Sequence, residues 1–95
     1  MKAIKLNSFQ LNILLDENEK EGFQLLLNKG VYCINCKSVC KKGVVDYECQ
    51  LDSTNDIIVN GKCAECGHPV SRVMEFGEDK TFFKKASKFR RSIGE

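Results

Sequence analysis

Cys33-Ile34-Asn35-Cys36 and, 26 residues further on, Cys63-Ala64-Glu65-Cys66-Gly67 decide how this chain reads. A two-residue gap lets both sulfurs of a pair turn inward from one tight knuckle. Two facing knuckles supply the four thiolates of a closed tetrahedral zinc site. The metal ligands expected on this basis are Cys33, Cys36, Cys63 and Cys66, with one Zn(2+) per chain.

The residues between the knuckles alternate as strands do. Val44–Leu51 places Val45, Tyr47, Cys49 and Leu51 on one face, against Asp46, Glu48 and Gln50. Asp52–Asp56 is a polar turn, too short for a crossover, so the strands around it are antiparallel. Ile57–Val59 is the next strand, ending at Asn60-Gly61, and Lys62 leads into the second knuckle. Beyond the second knuckle, Val70–Phe76 is a strand with Val70, Arg72, Met74 and Phe76 on one side.

Knuckle, hairpin, second knuckle and further strand together resemble the zinc ribbon, over about residues 33–76. In the second knuckle Gly67 follows Cys66, which agrees with that family; in the first, Lys37 stands in the equivalent position, so that turn is either distorted or takes a left-handed lysine at some cost. The resemblance implies a metal at the knuckle end. It says little of function, since zinc ribbons occur in nucleic-acid-binding factors, enzyme subunits and structural inserts.

Other ligand sets remain open at this level. Cys40, four residues after Cys36, is a substitute for it, and His68 is the only histidine, two residues after Cys66. Cys49 reads as a small buried thiol. Iron in a rubredoxin-like site is the rival metal, behind zinc given the long insertion between the knuckles. Four protein ligands leave no position for activated water. No nucleophile–base pair surrounds the single imidazole or the serines, so no enzymatic activity is expected.

Upstream, Ile4, Leu6, Phe9, Leu11 and Ile13 alternate with polar residues, which favours a strand, although Leu6, Phe9 and Ile13 also stand at helical spacing. Asn18 with Glu21 can form a capping box that starts a helix carrying Phe23, Leu26 and Leu27 and stopped by Gly30. Downstream, Asp79 can cap a helix over residues 80–93 in which Phe82, Ala86, Phe89 and Ile93 form one stripe. The chain is thus expected to be a single α+β domain over 1–95: a strand and helix (1–32), a small zinc-ribbon-like antiparallel sheet (33–76) and a basic amphipathic C-terminal helix (79–93).

Charge is distributed unevenly. Residues 1–32 carry four bases and four acids, 33–79 five bases and eight acids, and 80–95 six bases and one acid, within a net charge of +2. A four-thiolate zinc would bring the whole near neutral, so no strong global field attracts nucleic acid. A local basic face can still do so, through Lys41, Lys42, Lys84, Lys85, Lys88 and Arg91. Binding of DNA or RNA in an accessory role is the preferred expectation. A protein partner, met through Leu25, Leu26, Phe82 and Phe89, is the alternative. One positive surface joining the loop lysines to the tail would favour the first, and an exposed apolar patch the second. The polar residues among Met1–Asn12 prevent a continuous apolar leader, and no segment has membrane-span character. A cytoplasmic protein with no membrane partner is expected, its six cysteines serving as ligands and buried thiols. Three disulfides are the alternative in an oxidising compartment.

Overall fold

The computed structural model describes residues 3–94; Met1, Lys2 and Glu95, which the leader and domain expectations include, lie outside the described residues. In chain order the elements are β1 (Ile4–Leu6), α1 (Ser8–Leu14), α2 (Glu17–Lys29), β2 (Tyr32–Cys33), β3 (Ser38–Val39), β4 (Val44–Leu51), β5 (Ile57–Cys63), β6 (Pro69–Met74), a 3-10 turn (Phe76–Glu78) and α3 (Lys80–Ser92). Four strands form an antiparallel sheet in the order β1-β4-β5-β6, and β2 pairs with β3 in a separate hairpin. The α+β class expected from the sequence is the class observed.

The first segment differs from the strand expected. Only Ile4–Leu6 is extended, pairing with Cys49–Leu51. Asn7 then caps a helix: its side chain accepts from the Gln10 N–H at 2.8 Å while Gln10 returns a bond to the Asn7 N–H at 2.9 Å. Alternation and helical spacing coexisted in this stretch, and the reciprocal cap favours the helix. Leu11 and Leu14 turn inward, leaving Phe9 and Ile13 outward.

The second helix starts two residues earlier than Asn18–Glu21 would place it. Asp16 is the cap and Glu19 its partner, with 2.8 Å bonds in both directions. Glu17 and Glu19 also place negative charge at the positive end of the helix. Phe23 and Leu27 are buried, Leu26 is half-buried, and Gly30 ends the helix as expected.

β4 does not keep one face inward. Its pairing with β5 shifts between Val45 and Glu48, where Asp46 takes the left-handed φ of 49°. Two residues therefore oppose one, and the buried set changes from Val44 to Cys49 and Leu51 while Val45 and Tyr47 are exposed. Opposite the bulge lies Gly61. A Cβ there would stand 2.6 Å from Val44 Cγ1 and 3.0 Å from Tyr47 Cβ. Asn60-Gly61 is consequently the middle of β5, not its end, because the glycine makes room for the bulge. β6 ends at Met74, earlier than expected; Val70 and Met74 are buried, Arg72 is exposed, and Phe76 belongs to the 3-10 turn.

α3 begins at Asp79, whose side chain accepts from the Phe82 N–H at 3.0 Å. It docks on the sheet through Phe82 and Ala86, with Phe76 packed against Phe82 at 5.1 Å between ring centroids. Ile93, expected in the stripe, is 46% exposed. Helices, sheet and knuckle cysteines share one buried cluster.

Candidate metal centre

Each knuckle sits at a chain reversal. Cys33 ends β2, Cys36 follows within the turn to β3, and the Cys36 N–H points at Cys33 Sγ at 3.5 Å. Lys37 takes φ 58°, the left-handed one of the two alternatives its position after the knuckle left open. Cys63 ends β5, and the chain returns through Gly67 at φ 78°, with the Gly67 N–H bonded to the Cys63 carbonyl at 2.8 Å and the Cys63 N–H to the His68 carbonyl at 2.9 Å. A backbone relay fixes one knuckle against the other. The Cys40 N–H donates to the Val31 carbonyl (2.8 Å), the Gly43 N–H to the Cys40 carbonyl (2.9 Å) and the Ala64 N–H to the Gly43 carbonyl (3.0 Å).

This framework brings the sulfurs of Cys33, Cys36, Cys63 and Cys66 within 4.8 Å of one another. Two of the close separations cross between knuckles: 3.5 Å for Cys33–Cys66 and 3.9 Å for Cys36–Cys63. A disulfide would bring two sulfurs to about 2.0 Å. A tetrahedral ion with metal–sulfur bonds of about 2.3 Å separates its ligands by roughly 3.8 Å. The donor set and its spacing therefore fit a metal ion. Neither Cys40 nor His68 belongs to this group among the described residues.

The electrostatics around the sulfurs agree with that fit. Backbone N–H groups of Cys66 and Glu65 aim at the Cys63 sulfur and lower its thiol to about 6. The Asn35 side chain and the His68 N–H lower that of Cys66. By contrast, the Cys36 thiol is pushed up, first by its hydrogen bond with Cys66 and then by burial. Four close sulfurs cannot all carry charge unaided, so some keep their protons while others lose them; a bound cation would replace those protons. Cys40 and Cys49 behave differently. Burial pushes Cys49 up to about 11 and, with a smaller contribution from the Cys63 sulfur and its neighbours, Cys40 up to about 12, so both keep their protons.

The other expected site residues are dispersed. Lys41 and Lys42 are exposed beside Gly43, at the metal end of the β4–β5 hairpin where Val44 pairs with Cys63. α3 is anchored at the far end: Asn55, in the turn after the Leu51–Ile57 pair, donates to the Phe83 carbonyl and to Ser87 Oγ. The two groups of lysines thus flank opposite ends of the sheet. Lys84, Lys88 and Arg91 are exposed on α3, whereas Lys85 is engaged, 2.8 Å from Glu19 and 5.2 Å from the Phe82 ring centre.

Among the residues expected to meet a protein partner, Leu25 is 65% exposed and Leu26 and Phe89 are half-buried. Phe82 is 1% exposed; the core claims it, and the partner-facing role expected of it is withdrawn. The sequence reading missed Phe9 and Ile13, 71% and 58% exposed on α1. Their four-residue spacing was the available signal, hidden by the strand-like alternation.

No helix among the described residues is long and apolar enough to cross a membrane. Neither protein-family models nor curated proteins nor solved structures yield a match to this chain.

Proposed function

We propose that this chain is a noncatalytic binding protein of zinc-ribbon type, stapled by one Zn(2+) on Cys33, Cys36, Cys63 and Cys66, whose helical layer receives a protein partner. The observation that carries this reading is spatial separation. The four-sulfur cluster lies at one end of the β4–β5 hairpin, and the exposed apolar residues of α1 lie beside α3, which is anchored at the other. A metal at that end of the hairpin holds the fold and leaves the α1–α3 face free to bind. Four thiolates close the coordination sphere, which supports a structural over a catalytic role. Zinc suits a site whose work is cross-linking, having no redox chemistry of its own. A reducing cytoplasm would keep the six thiols available, and a single unit over 1–95 accords with the shared core.

A second reading, binding of DNA or RNA, draws on one observation. Lys80, Lys84, Lys88 and Arg91 recur at i, i+4, i+8 and i+11, all exposed on α3. That makes a cationic ridge on the order of 16 Å long. It stands alone, because Lys41 and Lys42 are at the other end of the sheet.

Site-specific photocrosslinking in living cells separates the two readings. A photoreactive residue at Ile13 is expected to give adducts that protease destroys and nuclease leaves intact, with none from the same probe at Val45. Nuclease-sensitive adducts, or equal yields at both positions, would overturn the protein-partner reading.

A further inference from the structure

α1 and α3 lie side by side, and between them runs a groove of about 230 Å³ whose floor is Leu14 and Phe89. Ile13 forms one wall; Lys85, Lys88 and Ser92 form the other. Phe9, one turn before Ile13, continues the apolar wall along α1. Lys84 and Arg91, exposed about one turn to either side of Lys88, add positive charge beside that wall on α3. Neither helix contains an acidic residue. The carboxylate nearest this face by its contacts, Glu19, is already engaged with Lys85. Among the described residues no carboxylate lines the groove and Lys88 on its rim makes no ion pair, so an apolar channel with a cation on one rim has a definite complement.

We propose that this groove binds an acidic amphipathic helix of a partner protein, its apolar stripe seated on Ile13 and Phe89 and its carboxylates paired with Lys84, Lys88 and Arg91. The inference rests on the protein-partner reading and names the chemistry of that partner. A helix is favoured because two helices bound the groove, and an apolar stripe at i, i+3, i+4 and i+7 can meet Ile13 on one and Phe89 on the other. Nucleic acid would use the ridge but leave Phe9 and Ile13 uncovered. The charged rim governs encounter and salt sensitivity, while the apolar floor supplies the anchor that excludes water.

The test titrates the full-length, metal-loaded chain with three synthetic helices of about 18 residues. All carry leucine at i, i+3, i+4 and i+7; the remaining positions are mostly Glu in one, Gln in the second and Lys in the third. A 20-base-pair DNA duplex is the fourth probe, and circular dichroism checks that each variant is folded. The Glu helix is expected to bind best, and Ile13→Glu and Lys88→Glu are each expected to weaken it about tenfold or more. Equal binding of the Gln or Lys helix overturns the acidic partner and leaves the protein-partner reading standing. Binding of the duplex alone, lost in Lys88→Glu and kept in Ile13→Glu, overturns both. No binding of any helix also overturns the acidic partner.

Discussion

Arg90 Nε donates to Asn55 Oδ1 at 2.8 Å, deep in the protein: Arg90 is 2% exposed and Asn55 fully buried. The guanidinium also reaches the carbonyls of Leu51 and Asp52 at the end of β4. Asn55 in turn donates to the Phe83 carbonyl (3.3 Å) and to Ser87 Oγ (3.1 Å). One buried cation and one buried amide thus hold α3 to the β4–β5 turn, at the end of the sheet that the metal does not reach. Fixing α3 also positions the rim of the groove.

Asn55→Ala is expected to lower unfolding free energy by about 3 kcal/mol, because it leaves a buried charged donor without this acceptor. Asn55 has φ 62°, which costs a side chain with a Cβ about 1 kcal/mol more than glycine, so Asn55→Gly should be the milder of the two. Urea denaturation of the metal-loaded protein measures both. Losses within about 0.5 kcal/mol of wild type would mean that the network does not hold the helix.

The two knuckles make the same left-handed demand at equivalent positions and meet it with different residues. Gly67 has φ 78° with open space where a Cβ would be, so Gly67→Ala costs only backbone strain, about 1 kcal/mol. Lys37 already bears that strain at φ 58°. Lys37→Gly relieves it while adding freedom to the unfolded chain, for a net change of about 0–1 kcal/mol in the stabilising direction. Thermal melts with metal bound compare the pair, and the expected order is Lys37→Gly, wild type, then Gly67→Ala.

Cys49 gives the protein a weakness at alkaline pH. An unfolded thiol loses its proton around the ordinary value of 9.0, while burial holds the folded one to about 11. Between those values only the folded chain keeps the proton, so stability is fully present below pH 9 and falls as pH rises towards 11. The slope from this group is about 1.4 kcal/mol per pH unit. Cys49→Val, of similar volume and without a proton to lose, should flatten the decline by that amount in urea titrations across the same range. Parallel curves for variant and wild type would contradict the assignment.

What was legible in the sequence was local chemistry. The paired cysteines and the cap at Asp79 carry their geometry within a few residues, and the structure places them as read. Gly30 likewise ended its helix. What was hidden depended on neighbours distant in sequence. Asn60-Gly61 has the composition of a turn, but the bulge at Asp46 requires a glycine opposite it. Arg90 is only one of six bases in residues 80–95, and nothing beside it in sequence reveals the buried bond to Asn55, 35 residues away. Residues 4–14 satisfied two periods at once, and only the Asn7–Gln10 cap separates them. That ambiguity concealed Phe9 and Ile13, on which the proposed docking surface depends.

The central claim is that a zinc ion on four sulfurs joins two knuckles far apart in the chain. Native mass spectrometry with elemental analysis, run before and after chelation and paired with circular dichroism, tests it most directly. The expected result is one zinc per wild-type chain, none bound stably in Cys66→Ser, and loss of folded structure when chelator removes the ion. A chain purified without metal that takes up none and keeps the same fold would contradict it.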